Sequence, residues 1–307
     1  YTVNWIVIFF IGLISAEYSK KTLVLYVYSL ALVVFLGILA AVGIIPGEFF
    51  GDKLWSEGML WGFNHHNDLA AMLLLGFCIA IGLGMRTAPA AILILIGLAI
   101  SGSRGYYIAS IFTGAGLAYM FLRKRKKLMP WVITAVVVFI SIIAAIPGTR
   151  TRIGKIMHGD LAINARLSSW RITLWSMREN PVFGIGPGQL YARTDYIQRL
   201  KDEDRYVDAR SGHISHLHNF YLTILAEGGI VAILLLLWFL WNTGYRLATG
   251  TYIQKVYFWG FVGFAVGNMF DAQFRGPSAA MDFFLILGLI EAQSISNKSF
   301  TSNTDEK

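Results

Sequence analysis

Over most of its length the chain alternates between apolar stretches and short polar breaks, and this alternation predicts its elements. A helix needs about 20 apolar residues to cross a bilayer. On that basis spans are expected at 3–15, 22–45, 67–84, 87–102, 105–122, 129–147, 220–242, 255–270 and 278–294, the first of them cut short. The predicted fold is therefore an all-α polytopic membrane protein with at least nine transmembrane helices. Because the chain opens at Tyr1 inside an apolar run, upstream sequence is expected and nine is a minimum.

One long polar interval, 148–217, divides the apolar segments into 1–147 and 218–307, the latter ending in a short polar tail. Within the interval Ile163, Leu167, Trp170, Leu174 and Met177 recur at three- and four-residue spacing, which predicts an amphipathic surface helix over 163–179. It should lie along the membrane and stop at Asn180-Pro181, since a proline pushes the residue before it out of helical geometry. Gly184, Gly186, Pro187 and Gly188 then read as a tight turn, and the charged stretch Arg193 to Arg210 as solvated. These glycines spell GxGxG but follow no strand of a βαβ unit, which argues against a dinucleotide site.

Composition sharpens this picture. The chain of 307 residues is 56% hydrophobic and 14% charged, with a mean hydropathy of +0.57, well above the apolar share of soluble domains. A net charge of +8 would suggest nucleic acid in a soluble protein. Here the basic residues of the short connections, Lys20 and Lys21, Arg86, Arg123 to Lys127, Arg246 with Lys255, and Lys298, fall on alternate ends of the predicted spans. They share one face, which the positive-inside rule makes cytoplasmic. Loops 46–66, 103–104, 148–219 and 271–277 are then outside, and no nucleic-acid partner is expected. The single cysteine, Cys78, excludes an internal disulfide and a cysteine-built metal site.

On the outer face the chain places residues able to do chemistry. Arg104, in SGSRG, opens a span, where an arginine is costly unless it meets water, a partner or a ligand. Free N–H groups at that helix start also favour an anion; a snorkelling interfacial arginine is the plainer reading. His218 begins the span 220–242 and can take a proton near neutral pH, or serve as a helix cap. His213 and His216 beside it allow a zinc site in principle, but no matched carboxylate or cysteine stands at ligand spacing, and no metal is expected.

Arg166 and Arg171 are five residues apart, about 140° around a helix, so one alone is expected to point inward. Arg166 shares a face with Trp170 and is preferred, with Arg171 and Arg178 the fallback. His66 and Asn67, in the polar opening Asn64-His-His-Asn-Asp68 of a span, either line a pocket or cap the helix, and Asp271 and Arg275 read the same way.

Three pieces, SGSRG at 101–105, NARLSSWRITLWSMRENPVFGIGPGQL at 164–190 and HNFYLTILAEGG at 218–229, together resemble the O-antigen ligase and O-antigen polymerase superfamily of bacterial envelope glycosyltransferases. One departure is Ala232, which stands where the ligase pattern has a second spaced glycine after Gly229. The resemblance implies a GT-C-like membrane glycosyltransferase architecture with a long periplasmic loop, in the bacterial inner membrane. It also implies a glycan donor carried on undecaprenyl diphosphate and a lipid A-core acceptor, without cofactor.

Carried over by motif, the family's essential histidine falls on His218 and its essential arginines on Arg104 and Arg166. Asn219, Arg171, Asn67, His66 and Arg275 are the expected substrate-binding residues. The expected protein is an O-antigen ligase, working as a monomer among membrane lipids. A polymerase of the same superfamily and a transporter of lipid-linked saccharides remain the alternatives; for a transporter, ionisable residues should lie at mid-span.

Overall fold

The computed structural model describes residues 19–49, 52–62, 65–123, 125–145, 161–203, 217–274 and 277–302. Ten α-helices run through these segments: α1 Ser19–Ala41, α2 His66–Leu83, α3 Ala88–Ile100, α4 Arg104–Leu122, α5 Met129–Ala145, α6 Leu161–Glu179, α7 Thr194–Asp202, α8 Phe220–Thr249, α9 Tyr252–Gly267 and α10 Pro277–Ser302. Four of them, α1, α2, α4 and α8, are long and apolar enough to cross a bilayer. Helices α3 and α5 are apolar but shorter, and the apolar run 3–15 lies outside the described residues.

The loop between α1 and α2, expected to be plain connection, carries two small antiparallel hairpins. Glu48–Phe49 pairs with Asp52–Lys53, and Trp55–Ser56 pairs with Met59–Leu60. Met59 and Leu60 are buried, so the second hairpin is an apolar plug over the helix ends.

Helix α9 packs against both α2 and α4. Its glycine stripe, Gly260, Gly263 and Gly267, allows that approach. A Cβ on Gly263 would lie 2.1 Å from Thr113 Oγ1, and one on Gly267 2.6 Å from the Tyr106 ring. Small residues let helices in lipid approach until their backbones nearly touch, and here they bring the Asn268–Asp271 turn beside the first turns of α2 and α4. An aromatic cluster of Phe264, Phe274 and Phe283 locks α10 onto the same region, with Phe264 and Phe283 stacked 5.0 Å apart.

Helix α6 stops at Glu179, as the Asn180-Pro181 pair predicts. The expected apolar stripe is its outward face: Leu167, Trp170 and Leu174 are 57%, 61% and 58% exposed. The inward face is instead made of small hydroxyl residues, Ser168, Ser169, Thr173 and Ser176, around Ile172. That narrow face lets α6 lie close on α8. The stretch after Arg193 is not wholly solvated either. It forms α7, whose Tyr196, Ile197 and Leu200 are buried; Tyr196 and Leu200 join Ile172, Leu190, Leu217 and Ala226 in a small second core.

Helix α8 runs past the expected end at 242 to Thr249 and is broken at Gly229, where φ is 65° and ψ −162°. Only glycine adopts that conformation without strain. The backbone groups around the break are taken up by the turn after α6. Ile185 N donates to Ala226 O (3.0 Å), Gly186 N to Glu227 O (2.9 Å), Ile230 N to Pro181 O (3.0 Å) and Val231 N to Val182 O (3.2 Å). The large apolar residues exposed on α8, from Ile230 to Tyr245, all follow the break. The helix is thus two pieces: one packs on the loop region, the other offers its sides to lipid.

Candidate active site

The cavity that gathers the predicted residues forms where helix ends meet. Its volume is about 180 Å³, and its lining includes His66, Asn67, Arg104, Arg166, His218 and Asp271. These come from α2, α4, α6, the residue pair before α8 and the turn after α9, so no single sequence segment builds it.

Arg104 is the first residue of α4. Ser103 precedes it as N-cap but makes no side-chain cap; its hydroxyl donates instead to Asn67 Oδ1 at 2.6 Å. Gly102 to Tyr106 all line the cavity, so the start of α4, with its partial positive charge, opens into it. Gly102 holds φ 69°, and a Cβ there would lie 2.2 Å from Met59 Sδ. The turn therefore needs glycine twice over, for conformation and for the hairpin packed beneath it.

His218 sits at φ 47°, one of two non-glycine residues with positive φ among those described. Its neighbours fix this uncommon backbone. Leu217 is buried, and its N–H donates to Thr223 Oγ1 at 3.4 Å. Asn219 caps α8, its Oδ1 accepting from Leu222 N at 3.0 Å while its Nδ2 donates to Met269 O at 2.9 Å. Phe220 N donates to Asn268 O at 2.9 Å. The cap is thus Asn219, and His218 is turned to the cavity. Strain held by flanking contacts in this way gathers at functional positions.

Arg166 also lines the cavity, its guanidinium 5.9 Å from the centre of the Phe270 ring. Arg171 does not line it and instead pairs with Glu203 on the surface. Asn219 likewise is not among the lining residues. His66 and Asn67 do line it; the cap of α2 is His65, whose Nδ1 accepts from Asn67 N at 3.3 Å. Arg275, His213 and His216 lie outside the described residues.

Asp271 holds the assembly together. Its Oδ2 accepts from Asn67 Nδ2 at 2.7 Å and from Gln273 Nε2 at 3.0 Å, and its Oδ1 from Ala272 N at 2.8 Å. A chain of polar contacts, Ser103 to Asn67 to Asp271, therefore ties α4, α2 and the turn after α9. The alternation of polar and apolar residues marks these positions as span ends but says nothing of their mutual bonding.

At the far end of α6 from Arg166, Arg193 clasps Glu179 (2.7 Å) and Asp195 (2.6 Å) and lies 3.6 Å over the Tyr196 ring. The guanidinium holds both carboxyls below their ordinary range, and burial pushes the Tyr196 hydroxyl up to about 12. This clasp pins α7 to the end of α6, the helix that carries Arg166.

A further polar contact lies away from the cavity. Within the helical interior Tyr26 Oη donates to Asp282 Oδ2 at 3.2 Å, so α10 carries a carboxylate inside a predicted span.

A bundle of apolar helices, four of them long and apolar enough to cross a bilayer, with a cavity at their ends that is lined by two arginines and two histidines, fits a membrane protein. Residues 89–237 match the family model described as O-antigen ligase, which places this stretch of the chain in the O-antigen ligase superfamily. The matched stretch contains Arg104, Arg166 and His218, whereas His66, Asn67 and Asp271 lie outside it. No curated protein matches the chain significantly.

Proposed function

We propose that the protein transfers a glycan from undecaprenyl diphosphate to a sugar hydroxyl of lipid A core, at the periplasmic face of the bacterial inner membrane. The observation that carries this reading is the meeting of His218, Arg104 and Arg166 in one cavity, although the three lie on separate elements. The family match adds the substrate class. Helices α1, α2, α4 and α8, long and apolar enough to cross a bilayer, support the reading of a multi-span, GT-C-like architecture.

In this reading the acceptor hydroxyl gives its proton to the His218 imidazole. The oxygen attacks the anomeric carbon as the bond to the diphosphate breaks, and the diphosphate leaves with the bonding electrons. Attack from the far side inverts the anomeric centre. Arg104 and Arg166 hold the leaving diphosphate, a task suited to permanently charged, fork-shaped guanidinium groups, and the start of α4 adds its dipole. A cavity of about 180 Å³ has room for this charged group, with the glycan and the lipid chain outside. Asp271, through Asn67, keeps the helix ends in register.

Removing a general base costs roughly 10²- to 10⁴-fold in rate. The test is transfer by the purified protein from lipid-linked glycan to lipid A core, with His218→Ala alongside. Product on the core, lost in a variant that melts like the wild type, supports the ligase. Near-normal turnover by His218→Ala refutes the base. A lengthened donor with an untouched core supports the polymerase, the reading that Ala232 favours. A product with retained configuration refutes the single displacement.

A further inference from the structure

We propose that the opposite end of the helix bundle carries a binding site for an anionic phospholipid. A second cavity, of about 990 Å³, lies there between the end of α4, the end of α8 and the start of α9. Its lining includes Arg123, Arg125 and Lys255 together with Phe121, Phe258 and Trp259. The three cations are exposed and the three aromatic residues half-buried. Among the described residues no carboxylate lines the cavity and none pairs with these cations.

The position fits a lipid. Arg104 begins α4 and Arg123 follows its last residue, so the helix separates the two cavities by about 28 Å at 1.5 Å per residue, close to the roughly 30 Å of a hydrocarbon core. The second cavity is therefore at the other bilayer boundary. There a phosphate finds Arg123, Arg125, Lys255 and the start of α9, and the acyl chains find the aromatic wall. Basic pockets between membrane helices take anionic headgroups by this division of labour. The volume matches an organic ligand rather than a single ion. The cations here also face away from the cavity with His218, so the proposed chemistry does not use them.

Each such cation beside an anionic surface is worth about fivefold in affinity, and the three together roughly a hundredfold. The test is native mass spectrometry of the detergent-purified full chain. It is titrated with phosphatidylglycerol, with phosphatidylcholine of the same acyl chains, and with glycerol 3-phosphate as the headgroup alone. The wild type should prefer phosphatidylglycerol over phosphatidylcholine by about tenfold or more, undisturbed by glycerol 3-phosphate. The triple change Arg123→Gln, Arg125→Gln, Lys255→Gln should abolish the preference. Lys255→Gln alone should lower it about fivefold and serves if the triple variant does not fold. Equal binding of the two lipids, a preference unchanged in these variants, or full displacement by glycerol 3-phosphate would each overturn the proposal.

Discussion

Replacing Gly229 with alanine tests whether the break in α8 is held by the turn after α6. At φ 65° and ψ −162° an alanine costs about 1–3 kcal/mol in backbone strain alone. Its Cβ would also lie 2.3 Å from Val182 O, 2.5 Å from Val182 C and 2.6 Å from Gly184 N. All three are backbone atoms and cannot swing aside, so the turn must lift from the helix. That loses the hydrogen bonds of Ile185, Gly186, Ile230 and Val231 across the junction, each worth about 0.5–1.5 kcal/mol net. The expected loss is about 3–9 kcal/mol, seen as a melting temperature lower by roughly 5–15 °C.

Gly188→Ala is the control. Gly188 also has positive φ, at 75°, but a Cβ there meets nothing within 4 Å, so the variant should lose only about 1–2 kcal/mol. The assay is thermal unfolding in detergent, followed by tryptophan fluorescence, with limited proteolysis of the turn. Gly229→Ala should melt well below Gly188→Ala and be cut near Pro181. Because Ser176 Oγ also bonds Ala226 O at 2.6 Å in this junction, its opening should displace Arg166 and reduce transfer. Equal melting of the two variants with an uncut turn would refute the reasoning.

Three further outcomes follow from the geometry. Arg166→Ala should reduce transfer by about tenfold or more, as expected for a charged hydrogen-bonding partner worth about 1.5–3 kcal/mol. Arg171→Ala breaks only an exposed pair with Glu203, worth about 0–1 kcal/mol, and should transfer normally; equal defects in a transfer assay would remove the distinction. Because the Arg193 clasp lowers the Glu179 and Asp195 carboxyls below their ordinary 4.5 and 3.8, its stabilisation should be full above about pH 4.5 and fade as the pH falls through the lowered values. The gap in melting temperature between wild type and Arg193→Ala should therefore narrow on acidification, and a gap that widens contradicts this. Asn67→Ala, which cuts the chain from Ser103 to Asp271, should lower transfer and leave His218 in place, checked by comparing rate with melting temperature.

Much of the site was legible because each of its residues ends a hydrophobic run. Arg104, Arg166 and His218 are polar positions that a span or an apolar stripe throws into relief, and the same logic placed two of them on one face. The roughly 140° between Arg166 and Arg171 says only that one of them enters; the face shared with Trp170, on which Arg166 was preferred, turns outward, Trp170 being 61% exposed. What stayed hidden depends on contacts between distant segments. Nothing local says that Asn219 rather than His218 caps α8, since either could; the choice is made by Met269 and Asn268, some fifty residues on. The inward face of α6 was missed because serine and threonine count as polar, whereas here their small size is what permits close packing. Asp282 was missed for the opposite reason, its charge being masked by an apolar run until Tyr26 is seen opposite it.

The break at Gly229 also has a consequence for how the chain is made. After it, Ile230–Thr249 is about 20 residues, or roughly 30 Å, the thickness of a hydrocarbon core. The backbone groups on both sides of it find their partners in Pro181, Val182, Ile185 and Gly186. Those partners lie earlier in the chain, so a ribosome delivers them first. When the later segment enters the bilayer, the groups that complete its backbone have already emerged, and no open peptide bond need wait in lipid for a mate. A permuted chain in which that turn followed the helix would leave those bonds unmet during insertion, at several kcal/mol each.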